Sequence, residues 1–470
     1  MSGLDRSAVA FDVEFPVVVV GAGAAGLTAA LAARDAGAEV LLLERDETPR
    51  GSTSMSQGYV CAAGSKIQRA AGIEDDAERF YADIMARTRG TANPDLARTV
   101  SDNAGRAIDW LVENHKIPFE MNLTWGGFFG HSVNRMHGVP SKRGEELHGA
   151  LIRAAEEAGV NLVTGAHVDK VFADETNTVV GVRVRRADGS EELVGCQTLV
   201  LTTCGFGANL EMVKTYIPSF GQAANYRYFG HEGNEGEGIE WGRDLGAALG
   251  SMDAFQGYGA LTEPYGIIAN YDMVMNGAVT VNIEGKRFSN ENADISAQAL
   301  NILAQPEGTG WIIFDDARRA IVENLPEFRD LVTLGGVRTA SDADQLAALI
   351  RVPPDALKET LAEVEKMTRG EMACTFGRDF SKSAPLSGTL HALKTTGALF
   401  HTQGGLKVNS KAQVIRADGT PLPNLFAGGG TAESISGTGC NGYLPAAGLC
   451  MAVTLGMLAG ASAAELAASA

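Results

Sequence analysis

The first strong pattern along the chain is Pro16–Val20, an apolar, largely β-branched run with no polar position on either face. Such a run predicts a strand buried on both sides, as in a parallel sheet. Gly21-Ala22-Gly23-Ala24-Ala25-Gly26 follows, then an Ala/Leu helix to about Ala36 and a second apolar strand, Val40–Leu43, which ends in Glu44. Strand, glycine turn, helix and strand together make a βαβ unit. Further strands are predicted at Leu162–Val171, Val179–Val184 and Leu199–Leu201, the last running into Thr202-Thr203-Cys204-Gly205-Phe206-Gly207. Between Glu74 and Leu111 the apolar positions recur at helical spacing, which predicts an amphipathic layer on the sheet.

From about residue 210 this regularity breaks up. Aromatics and glycines mix around Tyr258, Tyr265 and Tyr271, followed by a strand-like GAVTVNIEGKRFSNE and a helical stretch near 342–367. Short apolar strands and glycine turns then return (GGLKVN, LFAGGGTAES), and a helix-forming run, Leu444–Leu466, closes the sequence. The expected fold class is α/β. One Rossmann-type nucleotide-binding domain is built from residues 1–209 and 378–470, with an α+β cap domain for substrate inserted at 210–377.

Composition narrows the class of protein. The 470 residues include 57 glycines without a Gly-X-Y period, 45% hydrophobic and 20% charged residues, and a net charge of −18. Collagen and disorder are excluded. No Lys/Arg cluster stands out, so nucleic acid is not an expected partner. The six cysteines (Cys61, Cys196, Cys204, Cys374, Cys440, Cys450) form no CxxC pair, haem-attachment run or zinc spacing, which predicts a reducing, cytoplasmic setting and no bound metal. Phe15–Ala33 and Tyr443–Ala464 carry no charge for 19 and 22 residues, close to membrane-span length. The first holds Pro16 and turn glycines and follows an acidic segment; the second holds Pro445, glycines, Thr454 and Ser462. Both are expected to be buried core, with no membrane insertion.

The glycine turn has the context a dinucleotide needs. Gly21 permits the tight turn, Gly23 lets backbone approach a pyrophosphate, and Gly26 lets the helix pack close to the strand. The helix N-terminus offers unpaired N–H groups to the phosphates. Glu44, 18 positions past Gly26, can accept both ribose hydroxyl protons and would repel a 2′-phosphate. A second glycine-rich strand end, Leu425–Glu433, lies far along the chain, where a simple NAD dehydrogenase needs nothing. FAD is long enough to span both. Glu433 is then expected to face the ribityl chain, and the N-terminus of the closing helix the flavin's pyrimidine edge, where its dipole favours the anionic reduced ring.

These stretches carry a resemblance. GAGAAG…LLLE, GSTSMSQG, GHSVNRMHG, EGEGIEWGRDLGA, VNIEGKRFSNE, HTQGGLKVN and LPNLFAGGGTAES…GMLAGASAA run in order from Val17 to the C-terminus. In this the chain resembles the flavoprotein family of fumarate reductase, the succinate dehydrogenase flavoprotein, L-aspartate oxidase and the 3-ketosteroid dehydrogenases. The resemblance implies substrate held between an FAD domain and a cap, and a C–C double bond made or saturated beside a carbonyl by hydride exchange with flavin N5. It also implies a wider cofactor-binding set: Ala24, Ala25, Arg45, Ser52, Thr53, Ser54, Ser56, Gln57, Gly58, Val168, Thr203, Gly205, Gly430, Gly448 and Leu449 join Gly21, Gly23, Gly26, Glu44 and Glu433.

Departures from the family pattern shape the expected chemistry. Ser52 stands where succinate dehydrogenase has the histidine that carries its flavin covalently, so FAD here is expected to be non-covalent. Ile295 stands at the family's proton-donating arginine, seven residues after Phe288, and Tyr443 at its dicarboxylate-clamping arginine. His401 of the HTxGG motif is retained. A buried dicarboxylate without its arginines would cost about 3–5 kcal/mol per broken pair, and a lost proton donor about 10²–10⁴ in rate. Fumarate turnover would then need Arg135, Arg143 or Arg227 as a replacement clamp. A tyrosine suits a neutral ketone, whose oxygen the Tyr443 phenol and a backbone N–H near Gly448 can hold as an oxyanion hole, as in the 3-ketosteroid dehydrogenases.

The resulting expectation is an FAD-dependent desaturase of a cyclic ketone. A cap tyrosine (Tyr258, Tyr265 or Tyr271) takes the α-proton, and electrons pass to an external acceptor or oxygen. Such a tyrosine needs a pKa well below about 10. The alternatives are an enoate reductase or acid dehydrogenase of the fumarate or tricarballylate type, and a non-catalytic flavin-binding subunit. His401 either polarises substrate or bonds flavin or backbone. His131 and His137, flanking Arg135, either line the site's mouth or serve structure. Arg287 is expected to pair within the cap, and Trp125, Phe128 and Phe129 form either a pocket wall or core.

Overall fold

The computed structural model describes residues 3–123, 129–223 and 226–469. The chain divides into two units, one of Met1–Ile217, Gly230–Phe255 and His401–Ala470, the other of Pro218–Phe229 and Gln256–Phe400. In the first unit the elements that position the site are β1 (Val13–Val20), α1 (Ala24–Asp35), β2 (Val40–Leu43), α2 (Ala77–Arg87), α3 (Pro94–His115), β3 (Asn161–Val163), β4 (His167–Ala173), β5 (Val179–Arg185) and β6 (Glu191–Leu201). Their sheet runs Leu4–Asp5, β4, β5, β6, β1, β2, β3. β1 lies between parallel neighbours, with Val17 opposite Val40 on β2 and Thr198 on β6. Val17, Val18 and Val19 are fully buried, as a central strand covered on both faces requires.

The strand expected over Leu162–Val171 is two strands. Gly165 takes a left-handed φ of 59° and its N–H donates to Asp46 O, which ends β3 beside β2 and frees the chain to start β4 at the other side of the sheet. The amphipathic region expected over 74–111 forms α2 and α3, the latter capped by Asn93 with Pro94 at its first position.

The second unit holds β7 (Phe255–Thr262), β8 (Val279–Val281), β9 (Thr309–Asp315), β10 (Val337–Ala340) and β11 (Leu390–Thr402), in the order β7-β11-β9-β8 with β10 also on β11. Alternation along β9 sorts two cores. Trp311 and Ile313 pack with Leu346 and Ile350 of α4 (Ala343–Ile350) and Leu357 and Val364 of α5 (Pro354–Thr368). Ile312 and Phe314 pack with Tyr271, Met273, Phe328 and Leu331. Of the strand-like GAVTVNIEGKRFSNE only Val279–Val281 is strand; the chain turns at Asn282–Gly285 and comes back with Arg287 bridged to Val281.

The expected limits of the insertion, 210–377, move at both ends. Residues 378–400 belong to the second unit because β11 is the strand that β7, β9 and β10 all pair with. Gly230–Phe255 belongs to the first, because the helix Glu237–Asp244 packs glycine-first onto it: a Cβ on Gly242 would be pushed into Leu406, and one on Gly238 into Thr203.

The first unit is completed by β12 (Pro421–Ala427), parallel to the end of β6 with Leu425 opposite Leu199, and by α6 (Ala447–Ala468). α6 is long and apolar enough to cross a membrane, and 72% of its apolar window is buried inside the protein. It crosses α1 closely. Gly456 faces Ala25 O and Gly460 faces Ala29 O, each at a place where a side chain would collide with backbone.

Candidate active site

The glycine turn between β1 and α1 is pinned from two sides. Glu44 Oε2 accepts from Ala22 N at 2.7 Å, and its Oε1 accepts from Asp46 N at 3.0 Å. On the other side His148 Nε2 lies 2.8 Å from Ala22 O. A carbonyl only accepts, so the imidazole proton sits on Nε2; burial holds the His148 pKa below its usual range and keeps the ring neutral. His148 therefore serves the turn. His137 is equally internal, Nε2 on Ser65 Oγ at 2.6 Å.

Each glycine of the turn has its own reason. Gly21 has φ 99°, with Thr202 O 2.6 Å from where a Cβ would sit, and a side chain on Gly26 would overlap Gly21 O. Gly23 differs: its φ is an ordinary −72°, and a Cβ there would meet only Thr53 Oγ1, at 3.6 Å. Among the described residues nothing requires glycine at 23, so the requirement lies in what approaches from the cleft. Ala24 N donates to Thr53 Oγ1 at 2.9 Å, while Ala25 and Gly26 find no backbone acceptor for their N–H groups among the described residues. These features fit a pyrophosphate.

The turn opens on a cleft within the first unit, lined by Gly21, Gly23, Glu44, Arg45, Ser52, Val168, Thr203 and Cys204. Residues from 230–255 complete it: His231, Gly233, Asn234, Glu237 and Trp241, with His167 of β4. Sequence reasoning missed this group because it placed the segment in the cap, although EGEGIEWGRDLGA stood among the family stretches. Asn234 Nδ2 donates to Ser52 Oγ at 2.8 Å. Arg45, expected to touch cofactor, is held by Glu237 and lies 3.6 Å from Glu235.

Several other expected cofactor contacts are occupied by the fold. Ser54 Oγ donates to Gly51 O at 3.1 Å and Ser56 Oγ to Thr53 O at 2.7 Å, both local turn bonds; Gln57 is exposed. Gly58 has φ 70° with Arg143 O 3.0 Å from its Cβ position. Gly205 leaves room for Thr402 Oγ1, and Gly430 faces Gly205 N and Cys204 Sγ. The Glu433 carboxylate accepts from Ser251 Oγ at 2.8 Å and Asn93 Nδ2 at 3.2 Å and lies over Gly250. Its oxygens are thus engaged with protein, where a ribityl contact had been expected.

A second group gathers at the start of α6. The His401 and Tyr443 rings meet edge to face at 6.0 Å between centroids, and Gly448 lies against the imidazole, its Cβ position 3.3 Å from Cε1 and Nε2. Leu449 is beside it in the first helical turn, half-buried. Burial lowers the His401 pKa to about 4 and raises that of the Tyr443 phenol, with the Ala446 N–H pulling the other way. At neutral pH both side chains are uncharged.

Two of the three cap tyrosines are placed otherwise than a base requires. Tyr258 donates to Ala269 O at 2.8 Å and Tyr271 to Glu291 O, and burial raises both phenols. Tyr265 is half-buried beside Gly336. Ile295 opens the helix Ile295–Leu303 and packs on the same core as Tyr271. Of the three arginines considered as a clamp, Arg135 is committed to the fold. Arg135 is completely buried in a bidentate pair with Asp75 (2.7 and 2.8 Å), Arg143 is exposed, and Arg227 lies 3.4 Å from Glu263. Arg287 pairs with Glu291 at 2.6 Å within the second unit. Phe129 is half-buried with φ 35°; Trp125 and Phe128 lie outside the described residues.

The chain is similar to known flavoproteins over nearly its whole length. It is 29% identical to the fumarate reductase (cytochrome) of Shewanella frigidimarina over 452 residues, covering 96% of this chain and 77% of that protein. Among solved structures, the open conformation of a flavocytochrome c3 fumarate reductase superposes with a TM-score of 0.82 at 27% identity, over 97% of this chain and 79% of that one. The 3-ketosteroid-Δ4-(5α)-dehydrogenase of Rhodococcus jostii RHA1 shares the fold, with a TM-score of 0.78 at 24% identity over 98% of this chain and 99% of that one. The FAD binding domain model matches residues 16–450; the chain belongs to that family, and the cofactor for which its glycine turn leaves room is FAD.

Proposed function

We propose that this protein is an FAD-dependent oxidoreductase that introduces a C=C bond next to the carbonyl of an uncharged, cyclic ketone. One observation carries the reading: His401 and Tyr443, set together at the start of α6, are both uncharged at neutral pH. A carboxylate brought to such a pair would lose hydration without gaining a countercharge. A ketone oxygen needs only hydrogen-bond donors, and the Tyr443 O–H and the Gly448 N–H are suited to supply them. As they strengthen their hold on the developing enolate oxygen, the α-proton becomes more acidic. FAD, held at the glycine turn between β1 and α1, would supply the two-electron acceptor that the desaturation needs, with an external acceptor or oxygen as the final oxidant. Of the three cap tyrosines, Tyr258 and Tyr271 are committed to backbone carbonyls; among the described residues Tyr265 is not, and we assign it as the candidate base.

The test is anaerobic mixing of the FAD-loaded protein with a panel of 3-keto steroids and simpler cyclic ketones, following flavin bleaching. Bleaching by ketones, slowed about 10²–10³-fold by Tyr443→Phe, is the expected result. A second reading, reduction of an α,β-unsaturated acid, is favoured by the similarity to a fumarate reductase. Reduced flavin reoxidised by fumarate and untouched by ketones or enones would select it and sink the first.

A further inference from the structure

We propose that His131 is a positioning residue for Tyr443, acting through the peptide that follows Pro445. This rests on the reading that Tyr443 holds the substrate carbonyl. The loop from Tyr443 to Ala446 has few ways to hold its shape, since Ala446 is in the left-handed region at φ 67° and begins no side-chain cap for α6. Two donors fix it from outside. Arg87 Nε, at the end of α2, donates to Tyr443 O at 3.0 Å, and His131 Nε2 lies 3.0 Å from Pro445 O.

The tautomer of His131 follows from its neighbours. Arg135 Nη1 approaches Nδ1 at 3.3 Å, and a guanidinium can only donate, so Nδ1 is the acceptor. The ring proton is then on Nε2, aimed at a carbonyl that can only accept. Arg135 is itself immobile, gripped by Asp75 and, at 2.5 Å, by Asp83 of α2. Burial keeps the ring neutral, with its pKa lowered to about 4. The series Asp75–Arg135–His131–Pro445 thus orients one peptide plane. With Tyr443 O held by Arg87 and Pro445 O, two residues on, held by His131, the backbone from which the Tyr443 ring projects toward His401 is fixed on both sides.

The experiment is a double-mutant cycle on FAD-loaded protein, with cyclohex-2-enone as probe and reoxidation of anaerobically reduced flavin as the signal, expressed per bound FAD. His131→Leu is expected to slow reoxidation at least 10-fold. In the Tyr443→Phe background it is expected to have no further effect, because its influence passes through the phenol. His131→Gln, whose amide can donate to Pro445 O and accept from Arg135, is expected to restore the rate to within threefold. Additive effects of His131→Leu and Tyr443→Phe, or no rescue by Gln at matched FAD content and thermal stability, would overturn the inference alone. Tyr443→Phe without effect on a probe that does react would instead overturn the reading on which it rests.

Discussion

A side chain on Gly26 would overlap the carbonyl oxygen of Gly21, whereas one on Gly23, in the same turn, would touch nothing closer than Thr53 Oγ1 at 3.6 Å. The two glycines therefore answer to different demands, the first to folding and the second to the ligand. Gly23→Ala is expected to leave the apo protein's stability within about 0.5 kcal/mol of wild type, while weakening FAD at least 10-fold. Gly26→Ala is expected to yield little folded protein. Thermal unfolding of apo protein and flavin-fluorescence titration separate the two. Equal loss of stability in both variants would contradict the assignment.

Arg135 bears on whether a carboxylate clamp survives elsewhere in the chain. With its guanidinium fully buried on Asp75 and Asp83, removing it leaves acidic groups without a countercharge. Arg135→Met is expected to destabilise the protein by about 3–5 kcal/mol. Arg143→Ala and Arg227→Ala, both at exposed side chains, should stay within about 0.5 kcal/mol and retain turnover. Denaturant unfolding with parallel flavin-bleaching rates decides it; a rate collapse in either exposed variant would restore that arginine as a substrate ligand.

The contrast between the glycine turn and its surroundings shows what the sequence could convey. β1, the turn, α1, β2 and Glu44 were legible because each is specified by its immediate neighbours: an apolar run, a glycine spacing, a helix former. The role of Glu237 and Asn234 was not, because their segment is assigned to the first unit by packing on Leu406, Thr203 and Thr431, which lie far away along the chain. The protein partners of Glu433 were not legible for the same reason: Asn93 and Ser251 decide where its carboxylate points. Tyr258 and Tyr271 carry the right functional group, but the backbone carbonyls that occupy it cannot be read from composition or spacing.

His131 and His401, both neutral in the folded state, predict an acid limb in stability. His131 and His401 have folded-state pKa values of about 4, below the ordinary value of about 6.5 expected when unfolded. Between those values the unfolded chain binds more protons than the native one, so unfolding free energy rises with pH across this window and is independent of these groups above it. As pH falls from 7 toward 4 the loss from His131 alone is on the order of 3 kcal/mol. Equilibrium unfolding at a series of pH values should show it, and His131→Gln should flatten the slope. An unchanged slope in that variant would mean the imidazole is protonated in the native state.

The cap tyrosines offer a test that discriminates among residues of identical chemistry. Tyr258 and Tyr271 each donate to a backbone carbonyl inside the second unit, and burial raises their pKa, so neither is disposed to accept a proton. Replacing either by Phe removes one hydrogen bond and leaves a buried carbonyl unpaired, a cost of about 1–3 kcal/mol in stability. Turnover per bound flavin is expected to stay within twofold in both, whereas Tyr265→Phe, if that phenol is the base, should lower it about 10²–10⁴-fold. Measuring bleaching rates at matched FAD occupancy separates a folding defect from a chemical one. A large rate loss confined to Tyr258→Phe or Tyr271→Phe would require its hydroxyl to leave the carbonyl during turnover, and so a cap that rearranges when substrate binds.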